Sequence, residues 1–566
     1  MCGIVGIVSS DECEQSEPLR RMLEAIEHRG PDGAGYVIGD TCRRGDSLRS
    51  LDIKGPKSRV ALGHVRLRIT GGPTGVQPFQ TRDGRISLLH NGEIYNHREL
   101  IRSLDSSRPD DSGSDSEVVL RMIENVYGGN LAEAVERVLP RLDGVYALVI
   151  SDTNQTIVAR DRMGVRPLYY CAGPDRVGFA SEKKPLFALE GNGAAIRRLA
   201  PGEMMILQDG SHEIRQFWKP DDIALTPVIH DRDTAIASYD RAIREAVRKR
   251  VDQHDHVGII FSGGIDSVLI AYLVHQLGMP FTCYAAGRED ASDIKKAQAC
   301  AAEFGWDLMV RTLTTGEIAE LIPEVMHVIE DHSLLQVEVA IPIFASVRMA
   351  QINGERVILT GQGADELFGG YSWYAAMVER EGYEVFVRHS FEDTLLLYRE
   401  CLEREDKISM AHSVELRVPF LDPEVIAVAF RMSPELKIRR GGDRMGKLIH
   451  REYCRHIGIP REIAFRIKEA AQHGANIHDA IDELALTEGF TPERLDAIGY
   501  DPDMTVGELL GSCSRYGYRY GQEGMWRATP HVQCYLDAIA DQLGMLPPPA
   551  HEYVSRAAKA RQTMQS

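Results

Sequence analysis

Cysteine at position 2 is placed for chemistry that no other position allows. Once Met1 is removed, one residue carries both a thiol and a free α-amine. Their ordinary pKa values are about 8.5 and about 7.7–8.0, so the amine can take the thiol proton near neutral pH. Standing alone, such a cysteine would read as a small apolar residue opening a strand. A second string, Phe261-Ser262-Gly263-Gly264-Ile265-Asp266-Ser267, follows an apolar run and opens a helical stretch. Its glycines let the backbone fold tightly around an anion. The Ser262 and Ser267 hydroxyls, with the helix N-terminal amides, suit pyrophosphate oxygens. Gly441-Gly442-Asp443-Arg444-Met445-Gly446-Lys447 nearly spells a Walker A loop, but Leu448 stands where a Ser or Thr must hold magnesium. No apolar strand precedes it, and it is rejected as a phosphate loop.

Cys2 is followed, in order, by His28-Arg29-Gly30-Pro31-Asp32-Gly33, Gly63-His64-Val65-Arg66-Leu67, Gln77-Pro78-Phe79 and His90-Asn91-Gly92-Glu93-Ile94-Tyr95-Asn96. Then come Gly113-Ser114-Asp115-Ser116-Glu117 and Arg160-Asp161-Arg162-Met163-Gly164-Val165-Arg166. This succession resembles the N-terminal-nucleophile glutaminase domain shared by asparagine synthetases, glutamate synthases and the sugar-phosphate amidotransferases. The resemblance implies Cys2 as the nucleophile and Arg66 as the partner of glutamine's carboxylate. It implies Asp115 and Glu93 for the ammonium, and the Asn91 amide with the Gly92 N–H as oxyanion hole. His28 and His64 are read as structural, since a lone histidine is more often a satisfied hydrogen-bonder than a catalyst.

The S-G-G-x-D-S string resembles the pyrophosphate loop of ATP enzymes that cleave between the α- and β-phosphates. The block Thr360-Gly361-Gln362-Gly363-Ala364-Asp365, the block Ser409 to Asp422 and the string Arg466-Ile467-Lys468-Glu469-Ala470 resemble asparagine synthetases, clearly to about residue 475 and weakly beyond. ATP is thereby implied at Ser262, Gly263, Gly264, Asp266, Ser267, Thr360, Gly361 and Asp365, with Mg2+ on Asp266 and Asp365. Lys468 would stabilise the charge that develops during adenylation.

Taken together, the resemblance implies a glutamine-dependent ligase. Ammonia released at Cys2 would travel through an internal channel to an acyl-adenylate, with aspartate as the default acceptor. One residue departs from the pattern: many members carry an acid where this chain has Gln362, and glutamine is no base. Glu338, in Val337-Glu338-Val339, is a substitute, although a surface-exposed Glu338 is the plainer reading. The departure keeps open a sister enzyme that amidates another carboxylic acid, of a natural product or a cofactor. A sugar-phosphate amidotransferase would lack the Ser262–Ser267 loop, and a non-catalytic relative would have lost it or Cys2.

These residues need two frames to hold them. Short β-type runs (Gly3–Val8, Ile86–His90, Val145–Ser151, Thr156–Arg160, Leu168–Tyr170) separated by Gly turns fill residues 1–215. An αββα sandwich is the fold implied there. Residues 216–230 read as a linker. From 231 to 566 the period becomes helical at Asp233–Val251, then alternates: strand Val257–Phe261, helix Asp266–Leu277, strand Phe281–Ala286, with a further strand at Arg356–Leu359. That is the pattern of a doubly wound parallel sheet, with a largely helical extension after about Tyr371.

Composition agrees with a soluble two-domain α/β protein: 566 residues, 43% hydrophobic and 26% charged. No uninterrupted apolar run reaches the roughly 18 residues of a membrane span, and the N-terminus is a poor signal peptide, so a cytoplasmic protein is expected. Ten scattered cysteines without a C-x-x-C pair suggest neither a zinc cluster nor a disulfide scaffold. A net charge of −18 argues against nucleic acid. The expected partners are small molecules, glutamine, ATP and aspartate, in a homodimer.

Overall fold

The computed structural model describes residues 2–104, 113–190, 195–208, 210–219, 225, 227–442, 445–466, 471–500 and 529–546. The chain forms two compact units: Met1–Ala224 with Asp393–Leu416, and Leu225–Glu392 with Arg417–Ser566.

In the first unit Cys2–Cys13 is the fourth strand of a seven-stranded sheet, hydrogen-bonded antiparallel to Ser58–Arg66 on one side and Arg176–Ala180 on the other. A six-stranded sheet runs from Ser211–Gln216 at one edge to Phe79–Gln80 at the other, with Ser87–Ile94 paired to Gly144–Ser151. Alternation along the strands builds three apolar layers, because successive side chains point to opposite faces. Ile4, Leu89, Ala147 and Val149 meet between the sheets. Val5 and Ile7 turn the other way, onto Leu19, Met22 and Leu23 of the helix Ser16–Glu24. Leu88, Leu148 and Ile150 pack under Asp115–Val126 and Leu131–Val138. Helix, sheet, sheet, helix is the order implied by the resemblance.

The strands Ser58–Arg66, Ala34–Ile38 and Arg176–Ala180 lie outside the runs singled out by sequence. So does Ser211–Gln216, an edge strand that is exposed along its whole length and shows no alternation to read.

Residues 393–416 fall inside the stretch assigned by sequence to the second domain, yet they pack in the first unit. Buried charge holds them there. The carboxylate of Asp406 receives Arg29 at 2.7 Å and Arg166 at 3.4 Å. Glu403 receives Arg198 at 2.9 Å and the Tyr169 hydroxyl at 2.6 Å, and Arg29 also reaches Glu182 at 2.8 Å. Burial by itself would raise Glu403, but Arg198, Arg160 and Lys407 bring it down to about 2. A carboxylate depressed from 4.5 adds stability that is complete above its ordinary value and is lost as pH falls towards 2. Acid unfolding of this unit is therefore expected to begin below about pH 4.5, as ordinary carboxylates protonate. Asp406→Asn, which removes the buried carboxylate that Arg29 and Arg166 share and leaves Arg29 to Glu182 alone, should cost about 3–5 kcal/mol in denaturant titrations at neutral pH.

In the second unit a parallel sheet has the order Leu308–Thr312, Phe281–Gly287, Val257–Ile260, Val357–Leu359. The chain moves outward from Val257–Ile260 in one direction, then returns to its other side with Val357–Leu359. That reversal is a topological switch point, where open α/β sheets bind ligands beyond the carboxyl ends of the strands. Among the described residues one helix, Leu334–Ile352, is long and apolar enough to cross a membrane. Its apolar character is accounted for by packing on the strands Phe281–Gly287 and Val257–Ile260. The helix Pro530–Gln542 fixes its start, with Gln533 accepting from Leu334 N and donating to His332 O.

Candidate active sites

The first site is assembled by strand register. Cys2 lies opposite Arg66 across the antiparallel pair. The Cys2 backbone N–H donates to Oδ1 of Asn91 at 2.9 Å. That bond turns the Asn91 Nδ2 group away, and Nδ2 is buried without a partner among the described residues. A buried, unsatisfied donor is costly, and an incoming acceptor oxygen would satisfy it; Asn91 itself is not among the residues lining the cleft around Cys2. Only glycine fits at position 92: its φ is +151°, and a Cβ there would stand 2.0 Å from Val145 O. Burial pushes the Cys2 thiol above its ordinary value, while nearby positive charge, including Arg66, opposes the shift.

Cys2, Arg66, Gly92, Glu93 and Asp115 line one cleft. Arg66 is cradled by the carbonyls of Thr70 and Gly72. Asp115 opens its helix and accepts from Ile94 N at 2.8 Å. Glu415 also lines the cleft, delivered by the 393–416 segment; it lies in the Ser409–Asp422 block, which the sequence assigned to the second domain and not to this site. His64 is fully buried and pushed down to about 3 by burial, so it is neutral, with Nε2 3.2 Å from His90 O. His28 pairs with Glu182 at 3.0 Å. Both behave as the structural histidines expected.

The second site sits at the switch point. Ser262, Gly263 and Gly264 follow Val257–Ile260, and Asp266 and Ser267 open the helix Ile265–Gln276. Gly263 has φ +68°, and a Cβ there would strike Ala297 N at 2.6 Å. Ser262 Oγ accepts from Gly264 N, and Ser267 Oγ donates to Gly264 O. The second loop, Thr360 to Asp365, leaves Val357–Leu359 and meets the first: a Cβ on Gly361 would lie 2.8 Å from that of Asp266. Thr360 N is held by Arg417 O.

The two aspartates converge on one cation that the sequence reading missed. Lys447 Nζ lies 2.6 Å from Asp266 and 2.7 Å from Asp365, and its side chain is 1% exposed. Burial alone would lower this lysine, but the carboxylates hold it above its ordinary value, so it is charged. His450 Nε2 stands 3.2 Å from Asp266, and the Tyr239 hydroxyl is 2.8 Å from its Nδ1. Lys447 belongs to the string rejected as a Walker A loop. It meets the Ser262–Ser267 loop from a different element, and its partner Asp266 is 181 residues away. Lys468 lies outside the described residues.

Magnesium prefers oxygen ligands and is commonly held by one or two carboxylates plus substrate phosphates. Asp266 and Asp365 fit that donor set, and no cluster of three or more metal-ligating side chains occurs among the described residues.

A two-sheet sandwich that opens on Cys2 and a parallel-sheet unit with a glycine-rich loop at its switch point stand in one chain. The glutamine amidotransferase domain family matches residues 1–218, and the asparagine synthase family matches residues 238–399 and 381–533. A Methanocaldococcus jannaschii protein provisionally named asparagine synthetase (glutamine-hydrolysing) 1 is 32% identical, over 88% of this chain and 97% of its own length. Asparagine synthetase B of Escherichia coli is 28% identical, over 86% of this chain and 85% of its own. The solved glutamine phosphoribosylpyrophosphate amidotransferase of B. subtilis shares 24% identity over 51% of this chain and 67% of its own, with a TM-score of 0.35. The chain belongs to the asparagine synthase family.

Proposed function

We propose that this chain is a glutamine-dependent asparagine synthetase, converting aspartate, glutamine and ATP to asparagine, glutamate, AMP and pyrophosphate. The observation that carries this reading is the pairing of two intact sites: Cys2 beside the orphaned Asn91 amide, and Lys447 bridging Asp266 and Asp365 at the switch point. Cys2 attacks the glutamine amide carbon, with Asn91 Nδ2 and Gly92 N–H receiving the oxyanion. Arg66 binds the substrate carboxylate, and Asp115 and Glu93 bind its ammonium. Ammonia is released as the thioester forms, and water then frees glutamate. At the second site Ser262, Gly263, Gly264, Ser267, Thr360 and Gly361 bind the nucleotide. Asp266 and Asp365 would hold Mg2+, which when bound shields the charge of the departing pyrophosphate, and Lys468 serves the same transition state.

Gln362 favours a second reading, in which the same chemistry acts on a different carboxylic acid. Pyrophosphate release, measured with ATP, Mg2+ and glutamine over a panel of carboxylic acids, separates the two. Aspartate should give the highest kcat/KM; a preference of tenfold or more for another acid would replace it.

A further inference from the structure

Neither site described above uses Glu338 or His478. Sequence left Glu338 as plainly read on the surface, and the structure corrects that: it is 2% exposed, in the second turn of Leu334–Ile352. Its Oε2 is 2.7 Å from Nδ1 of His478, in the first turn of Ile477–Thr487. His478 is half-buried, and the His473 ring stands edge-on to it at 5.4 Å.

The pair is anchored at the ligand edge of the parallel sheet. Ala475 O accepts from Arg288 N, just past the end of the strand Phe281–Gly287. Gly474 presses on Asp293, whose carboxylate would be 2.4 Å from a Cβ on that glycine. One turn further along the same helix, Ser292–Phe304, Lys296 and Ala297 close over Gly263 of the pyrophosphate loop. A single turn spans about 5.4 Å along the axis, so the His473–Gly474 turn and the pyrophosphate loop are neighbours on one helix.

Amide formation at this edge needs a proton acceptor. Asp266 and Asp365 are committed to Lys447, His450 is buried between Tyr239 and Asp266, and Gln362 cannot accept a proton. We propose that Glu338 and His478 form the base that deprotonates the attacking ammonia, a proposal that rests on the ligase reading above. The ammonia lone pair forms the C–N bond to the acyl carbon, and the carbonyl pair moves to oxygen. The resulting ammonium gives one proton to Nε2 of His478 while Glu338 holds the Nδ1–H. The oxyanion re-forms C=O, the C–O bond to phosphate breaks, and AMP leaves with that electron pair. His478 then returns the proton to solvent through its open side.

The surroundings suit the task. The bond to Glu338 raises His478 above the ordinary histidine value, and burial raises Glu338. The other titratable groups facing the imidazole are His473 from the preceding turn, with Asp479 and Asp482 on its own helix; Asp482 is held by His531.

The test uses the full chain with ATP, Mg2+, aspartate and ammonium chloride. Glu338→Gln and His478→Gln should leave the pyrophosphate burst before ammonia is added within about threefold of wild type. Asparagine formation per free ammonia should fall about 10²–10³-fold, the usual scale of general base catalysis. Wild-type rates on free ammonia should rise with pH as the pair deprotonates, and the variants should be flat. Hydroxylamine, whose adduct loses its proton far more readily, should recover most of the lost rate. Unchanged amide formation in both variants overturns the proposal, as does an equal loss of the burst in both. If His478→Gln, the more exposed change, keeps the wild-type melting temperature, a folding defect cannot explain its loss of rate. A wild-type chain with no aspartate-dependent burst sinks the ligase reading itself and this proposal with it, a result distinct from either variant's failure.

Discussion

Lys447→Met is expected to lower ATP-dependent asparagine synthesis about 10²–10³-fold while glutamine hydrolysis stays within twofold. The first figure is the usual cost of deleting one preorganised electrostatic group. Lys447 is the cation between Asp266 and Asp365, and without it two carboxylates face each other across the pyrophosphate loop. Each then disfavours ionisation of the other, and incoming phosphates meet negative charge where they had met an ammonium. Pyrophosphate release with ammonium as nitrogen donor reads the effect without involving the first unit. Met matches the lysine stem in length, so the loss would reflect charge rather than packing. Full synthetic activity in this variant would remove Lys447 from the site.

Cys2→Ala should abolish glutamine hydrolysis, by at least about 10³-fold, because the thioester cannot form without a nucleophile. Synthesis supported by ammonium salts should persist. Retaining Met1 is expected to have the same one-sided effect, since the α-amine would then be locked in a peptide bond. Glutamate release and asparagine formation, measured side by side, decide the matter; if both vanish in a folded Cys2→Ala protein, two separable sites are excluded.

Much of this was legible in the chain. Strand alternation and Gly turns announced the sheets around Cys2, Asn91 and Asp115, and apolar-run, Gly-turn, helix punctuation announced the Ser262–Ser267 loop. These are local signals, and the structure brings each pair of motifs together as strand pairing and the switch point require. What escaped was long-range and charged. Lys447 finds its role only against aspartates 82 and 181 residues earlier in the chain. Glu403, Arg404, Glu405, Asp406 and Lys407 are all buried, although a run of five charged residues carries no periodic mark of an interior helix. Glu338 and His478 are likewise paired across 140 residues.

The excursion of residues 393–416 sets a timetable for biosynthesis. Arg29 and Arg166 leave the ribosome early, but Asp406 emerges only after residues 225–392 of the second unit have been made. At 5–20 residues per second that interval is roughly 10–30 s. Until it passes, Arg166 and Arg198 lack their carboxylates, Arg29 has only Glu182, and the cleft lacks Glu415. Glutamine hydrolysis would then be withheld from the growing chain until about half of the second unit exists, and a fragment cut at residue 218 would be held permanently in that unfinished state.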